Sequence, residues 1–164
     1  MNQTQVRIRT PCAADSGAVH AFLAGLSATS QYQRFFTGLG SVSPSLVRDL
    51  TAVTPKQQVV VATVGLEVIG HAMAATNKEG AVELGVVVAD GHRHEGVATR
   101  LVRTLIERSV LAGAGRLTFD VLCENRLVLD WIRRSLPGTT FERDGYTLTG
   151  HAPLTLALVD ASAA

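Results

Sequence analysis

Residues 83–100 read ELGVVVADGHRHEGVATR. The stretch opens as an apolar run, Leu84 to Ala89, with valine at 86, 87 and 88. Consecutive β-branched residues favour a buried strand over a helix. A polar turn follows, Asp90-Gly91-His92. Val97, Ala98, Leu101, Val102, Leu105 and Ile106 then recur at helical spacing, which predicts a helix from about Gly96 to about Ala112. Arg93-His94-Glu95-Gly96-Val97-Ala98 joins strand to helix.

A strand that feeds a glycine-containing turn into a helix start builds an anion site. The first helical turn carries unpaired N–H groups and the positive end of the helix dipole. Gly96 has no Cβ and Ala98 a small side chain, so a phosphate can approach the backbone, and Arg93 adds positive charge. No Gly-Lys-Ser/Thr follows, which excludes a P-loop, and Gly91 and Gly96 lack the spacing of a dinucleotide fingerprint.

Outward from this centre the elements alternate. Val6 to Arg9 reads as a strand, ended by Pro11. Asp15 is positioned to cap a helix from Ser16 to Leu26, with Val19, Phe22, Leu23 and Leu26 on one face. A second short helix is expected within Leu26 to Phe36, and Ser43-Pro44 makes an N-cap and first-position pair for a third, through Leu50. Gln58 to Val64 and Glu67 to Ala75 form a hairpin around Gly65, and Asn77 to Gly80 turns into the central strand. Beyond the motif helix come a strand at Leu117 to Leu122, a helix from Glu124 to Ser135 and strands at Thr140 to Arg143 and Thr147 to Leu158. This order predicts an α/β (α+β) fold, a mixed sheet with helices on both faces.

Composition narrows the function. The 164 residues suit a single domain, 1–164, and 46% of them are hydrophobic, enough for one core. Lys and Arg number 15 against 14 Asp and Glu, which argues against bulk nucleic-acid binding. Cys12 and Cys123 have no framework spacing, and no long apolar span is present. A cytoplasmic setting without membrane insertion is the expectation.

Arg93-x-x-Gly96-x-Ala98 between that strand and helix resembles the acyl-CoA pyrophosphate loop, R/Q-x-x-G-x-G/A, of the GNAT family of N-acetyltransferases. The element order resembles the GNAT fold over nearly the whole chain, which implies a mostly antiparallel central sheet of about seven strands. Leu26-Ser27-x-x-Ser30-x-Tyr32-x-Arg34-Phe35-Phe36 and Glu124-Asn125-Arg126-x-x-Leu129 are similar to segments of Pat-type protein lysine acetyltransferases.

The resemblance implies acetyl-CoA as cosubstrate and an amine as acceptor, either a protein lysine or a small molecule. A non-catalytic acyl-CoA-binding module is the reading from another class. The pyrophosphate is expected on the backbone of His94, Glu95, Gly96, Val97, Ala98 and Thr99, with Arg93 at the mouth. The pantetheine arm is expected along Val86, Val87 and Val88, with Asn125 bonding it or capping its own helix. Where the family has a glutamate base, it often stands ten residues before the loop's Arg or Gln, and here 93 − 83 = 10. Glu83 is therefore the expected general base. The backbone N–H of Val86 is the expected oxyanion donor. The family's general-acid tyrosine position falls on Ile132, an absence that also fits the Pat-type group. The reading has no nucleic-acid or membrane partner, and it allows a homodimer.

Other candidates are weaker. His92-x-His94 lacks a third metal ligand nearby, and no metal is expected. Cys123 reads as a small core residue. Phe35 and Phe36 read as packing, and Arg34 as a candidate substrate contact. Gly85 is the position best able to let the central strand bulge or splay.

Overall fold

The structure, a computed structural model, describes residues 5–155. Its single sheet has the strand order β1-β2-β3-β4-β5-β7-β6. The strands are β1 (Arg7–Arg9), β2 (Gln57–Val64), β3 (Glu67–Thr76), β4 (Val82–Val88), β5 (Arg116–Leu122), β6 (Thr140–Asp144) and β7 (Thr147–Pro153). All neighbours pair antiparallel except β4 and β5, which are parallel. The helices are α1 (Ser16–Gly25), α2 (Ala28–Phe35), α3 (Pro44–Thr51), α4 (Val97–Leu111) and α5 (Arg126–Ser135).

Strand alternation divides the core in two. On one face Val60, Ala72 and Val82 pack with Val97, Leu101 and Leu105 of α4 and with Leu129 and Ile132 of α5. On the other, Val61 and Val87 pack with Val19 and Leu23 of α1 and Val47 and Leu50 of α3. The expected two-faced sheet of seven strands is what the chain forms.

Local chemistry explains most helix starts. Ser43 Oγ accepts from the Leu46 N–H at 3.1 Å, with Pro44 at the first helical position. Ser27 Oγ accepts from Ser30 N–H, so α2 begins at Ala28. Asn125 Oδ1 accepts from Val128 N–H at 3.3 Å, which sets α5 to begin at Arg126 and not at Glu124.

Two expectations need correction. Asp15 makes no side-chain cap to α1. Its carboxylate accepts from both terminal nitrogens of Arg9, at 2.6 and 2.7 Å, and from Cys12 N–H. A charge-assisted fork outcompetes a single backbone N–H. The last strand ends at Pro153, where Leu154 N–H turns to the Gly115 carbonyl, and the expected continuation past residue 155 lies outside the described residues.

Candidate active site

β4 and β5 are paired only at Val82 with Leu117 and Glu83 with Thr118. Beyond Glu83 they diverge. On its other edge β4 keeps unbroken register with β3, from Val82 opposite Thr76 to Val88 opposite Gly70. The opening is thus a splay between parallel strands and not a bulge in β4. Ala89 N–H donates to the Ile69 carbonyl, so the odd-numbered positions exchange ladder bonds with β3. The N–H and C=O groups of Val86 and Val88, and the C=O of Leu84, therefore point into the opening, while the Leu84 N–H closes the last bridge to Thr118.

A cleft of about 530 Å³ fills this splay. It brings together Glu83, Val86, Val87, Val88, Arg93, His94, Gly96, Val97, Ala98, Thr99 and Asn125. Of the expected site residues only Glu95 does not line it. The Glu95 carboxylate instead faces His92 Nδ1 at 3.0 Å.

The anion end of the cleft is the start of α4. Gly96 is the N-cap at φ 73°, in the left-handed region, and no side chain caps the helix. Arg100 N–H is bonded to the Gly96 carbonyl at 3.1 Å, which leaves the N–H groups of Val97, Ala98 and Thr99 without helical partners. A Cβ at Gly96 would meet nothing within 4 Å, so the space over the turn is open. His94 is also left-handed, at φ 66°, which histidine tolerates better than most residues. Thr99 Oγ1 accepts from Trp131 Nε1 at 2.9 Å and ties this turn to α5.

Arg93 is less free than its sequence suggests. It bonds Ser30 Oγ and lies 3.2 Å from Asp90 Oδ1. Asp90 also accepts from Ser30 Oγ at 2.6 Å and from Ser27 N–H at 3.0 Å. The Ser30 bond foremost, with the Ser27 amide and the Arg93 charge, holds the Asp90 carboxyl below the usual carboxylate range. The role of Asp90 is not legible in the sequence because its serine partners lie some sixty residues away. The serine pair of the Ser27-x-x-Ser30 segment was the available signal.

At the opposite end stands Glu83, exposed at the cleft wall and the last residue of β4 paired with β5. Glu83, Gly85 and Val87 share one face of β4. On that face the Arg34 guanidinium, from the last turn of α2, lies directly over Gly85. Burial pushes the Arg34 guanidinium below its usual value, and the Glu83 charge offsets part of the effect. Ile132 is buried along the cleft, and neither Tyr32 nor Tyr146 lines it.

A family model for the acetyltransferase (GNAT) family matches residues 26–135, from the end of α1 to the end of α5. The chain belongs to the GNAT acetyltransferase family. Among solved structures it is similar to the GNAT domain of S. lividans PAT, with TM-score 0.83 and 22% identity over 91% of this chain and 90% of that one. It is also similar to the ribosomal-protein-S18-alanine N-acetyltransferase from Escherichia coli, with TM-score 0.70 and 14% identity over 92% and 95% of the two chains. A third is the PaiA N-acetyltransferase from Thermoplasma acidophilum in complex with coenzyme A, with TM-score 0.68 and 13% identity over 91% and 99%. At such identities the likeness is one of fold. No curated protein sequence matches the chain significantly.

The GNAT chemistry is acetyl transfer from acetyl-CoA to an amine, and the cleft fits that cosubstrate. The bare N-terminus of α4 suits a pyrophosphate. The unpaired edge of β4 suits an arm with amide groups. Among the described residues no helix is long and apolar enough to cross a membrane.

Proposed function

We propose that this chain transfers acetyl from acetyl-CoA to a primary amine, that the amine is a protein lysine, and that Glu83 is the general base. The observation that carries the reading is the splay of β4 from β5, bounded by the open start of α4 at one end and by Glu83 at the other. Val88 and Glu83 are about 17 Å apart along the strand. An arm bound there by its diphosphate end reaches toward Glu83 with its thioester.

The residues then divide the work. Val97, Ala98 and Thr99 donate backbone N–H groups to the phosphates. Val86 and Val88 offer N–H and C=O groups to the arm. The Val86 N–H faces the negative charge that develops on the thioester oxygen. An alkylammonium is not a nucleophile until it loses a proton, and Glu83 takes that proton directly or through one water. With no tyrosine on the cleft, the thiolate leaves without a protein acid, which its modest pKa permits.

Two observations support the lysine acceptor. The segments at 26–36 and 124–129 resemble those of Pat-type protein lysine acetyltransferases, and the fold matches the GNAT domain of S. lividans PAT. The test is acetyl-CoA turnover against lysine peptides, intact proteins and small amines, with wild type and Glu83→Gln. Acetylated lysine in wild type and its loss in the variant support the reading. Turnover that Glu83→Gln leaves intact sinks the base, and acetyl-CoA binding with no turnover on any amine makes the chain a binding module.

A further inference from the structure

We propose that Arg34 is a carboxylate-binding residue of the acceptor groove, so that the favoured acceptor carries a carboxylate close to its reacting amine. The proposal deepens the amine-transfer reading and rests on it.

The Arg34 guanidinium sits where a Cβ at position 85 would stand, so the glycine and the arginine fit one another. A glycine inside a strand of valines weakens the strand unless something approaches its backbone closely. Here the approaching group is a cation. Its five N–H donors find no acceptor among the described residues, and Nε is fully buried without a partner. The Phe35 ring lies 4.9 Å from Cζ, but a ring serves the face of a guanidinium and leaves its in-plane donors unmet. Glu83 on β4 and the neutral, buried His71 on β3 are the titratable groups whose fields reach it. No ion pair within 4.0 Å joins Arg34 to Glu83 among the described residues.

A planar, largely desolvated fork with unpaired donors beside a cleft takes a carboxylate in two parallel bonds. The cosubstrate's phosphates do not supply that anion, because their site is at the other end of β4. The amine site and the guanidinium are neighbours on one strand face, Glu83 and Gly85 lying about 7 Å apart. Glu83 draws the ammonium and Arg34 the carboxylate. Two sources provide that pair of charges: a lysine with an acidic residue beside it, or a free amino acid.

The experiment compares matched acceptors that differ only in the carboxylate. One pair is N-acetyl-Lys-Glu-amide and N-acetyl-Lys-Gln-amide, and the other is free lysine and lysinamide. Binding to the CoA-loaded protein is measured by calorimetry, and kcat/KM is measured alongside. In wild type the carboxylate member of at least one pair should bind about tenfold tighter or more. Preference confined to the peptide pair identifies an acidic neighbour, and preference confined to the lysine pair a free amino acid. In Arg34→Met the ratio should fall to parity with CoA affinity unchanged. Gly85→Ala is the independent variant: the three atoms nearest its Cβ all belong to the Arg34 guanidinium, so the guanidinium must swing away and the ratio should fall there too. Equal binding in both pairs by wild type overturns the proposal. So does a preference that survives in folded Arg34→Met, or an equal loss of rate for both members of a pair, which would assign Arg34 to the thioester. A binding preference without acetyl transfer would keep the carboxylate site and sink the transfer reading.

Discussion

The Ser30 hydroxyl donates to Asp90 Oδ1 at 2.6 Å and so fastens the first turn of α2 to the turn that follows β4. Ser30 is 1% exposed, and its loss would leave Asp90 and Arg93 each short of a partner. Ser30→Ala should cost about 1–2 kcal/mol in a urea titration. Asp90→Asn should cost a similar amount, and the double variant should cost less than the sum because both act on one network. Strict additivity would show that the network does not act as a unit. CoA affinity should also fall if Arg93 opens the proposed phosphate loop.

Gly96→Val should weaken CoA binding at least tenfold while the protein stays folded. The space at Gly96 is open and its φ is 73°. A β-branched residue there is strained, and its methyl groups would fill the approach proposed for the pyrophosphate. Calorimetric titration with CoA, with circular dichroism to confirm the fold, checks this. Wild-type affinity in a folded variant would remove the phosphate from this turn.

Glu83→Gln should lower kcat by roughly 10²–10⁴-fold, the usual range for loss of a general base. CoA affinity should barely move, because Glu83 stands at the far end of β4 from the α4 start. The pH–rate profile should lose its acidic limb, and high pH should partly rescue the variant as more of the amine becomes neutral. An unchanged acidic limb in the variant would place the base elsewhere.

His71 predicts a pH dependence of stability. The ring is fully buried, and its Nε2–H donates to the Leu50 carbonyl at 2.7 Å. Burial foremost, with the Arg34 charge adding, pulls its pKa from 6.5 down to about 4. Because the folded value is the lower one, the unfolded chain binds more protons between the two. The contribution is complete above about pH 6.5 and is lost as pH falls toward 4. His71→Leu should be less stable at pH 7.5 by about 1–3 kcal/mol, since the Leu50 carbonyl loses its donor. Its Tm should also fall less steeply than that of wild type between pH 6.5 and 5. Parallel slopes would show that His71 is not the titrating group.

What the sequence determined by itself is local. Three valines in a row name a strand, the 97–106 spacing names a helix, and Gly96 between them names a bare helix start. Ser43 caps a helix because its acceptor lies three residues from the N–H it satisfies. Such features depend on short-range geometry and side-chain period, which any reader of the chain can count. The tertiary structure decided the rest. Asp15 turns to Arg9 and not to α1 because β1 brings a guanidinium to it. Ser27 and Ser30 find Asp90 because α2 packs against β4. Gly85 proves to be a seat for Arg34, although its position in a valine run suggested only a bend. The splay itself has no local signature. β4 and β5 are joined through α4, and how far two parallel strands stay together is set by how that helix and its neighbours pack, not by the residues of either strand alone.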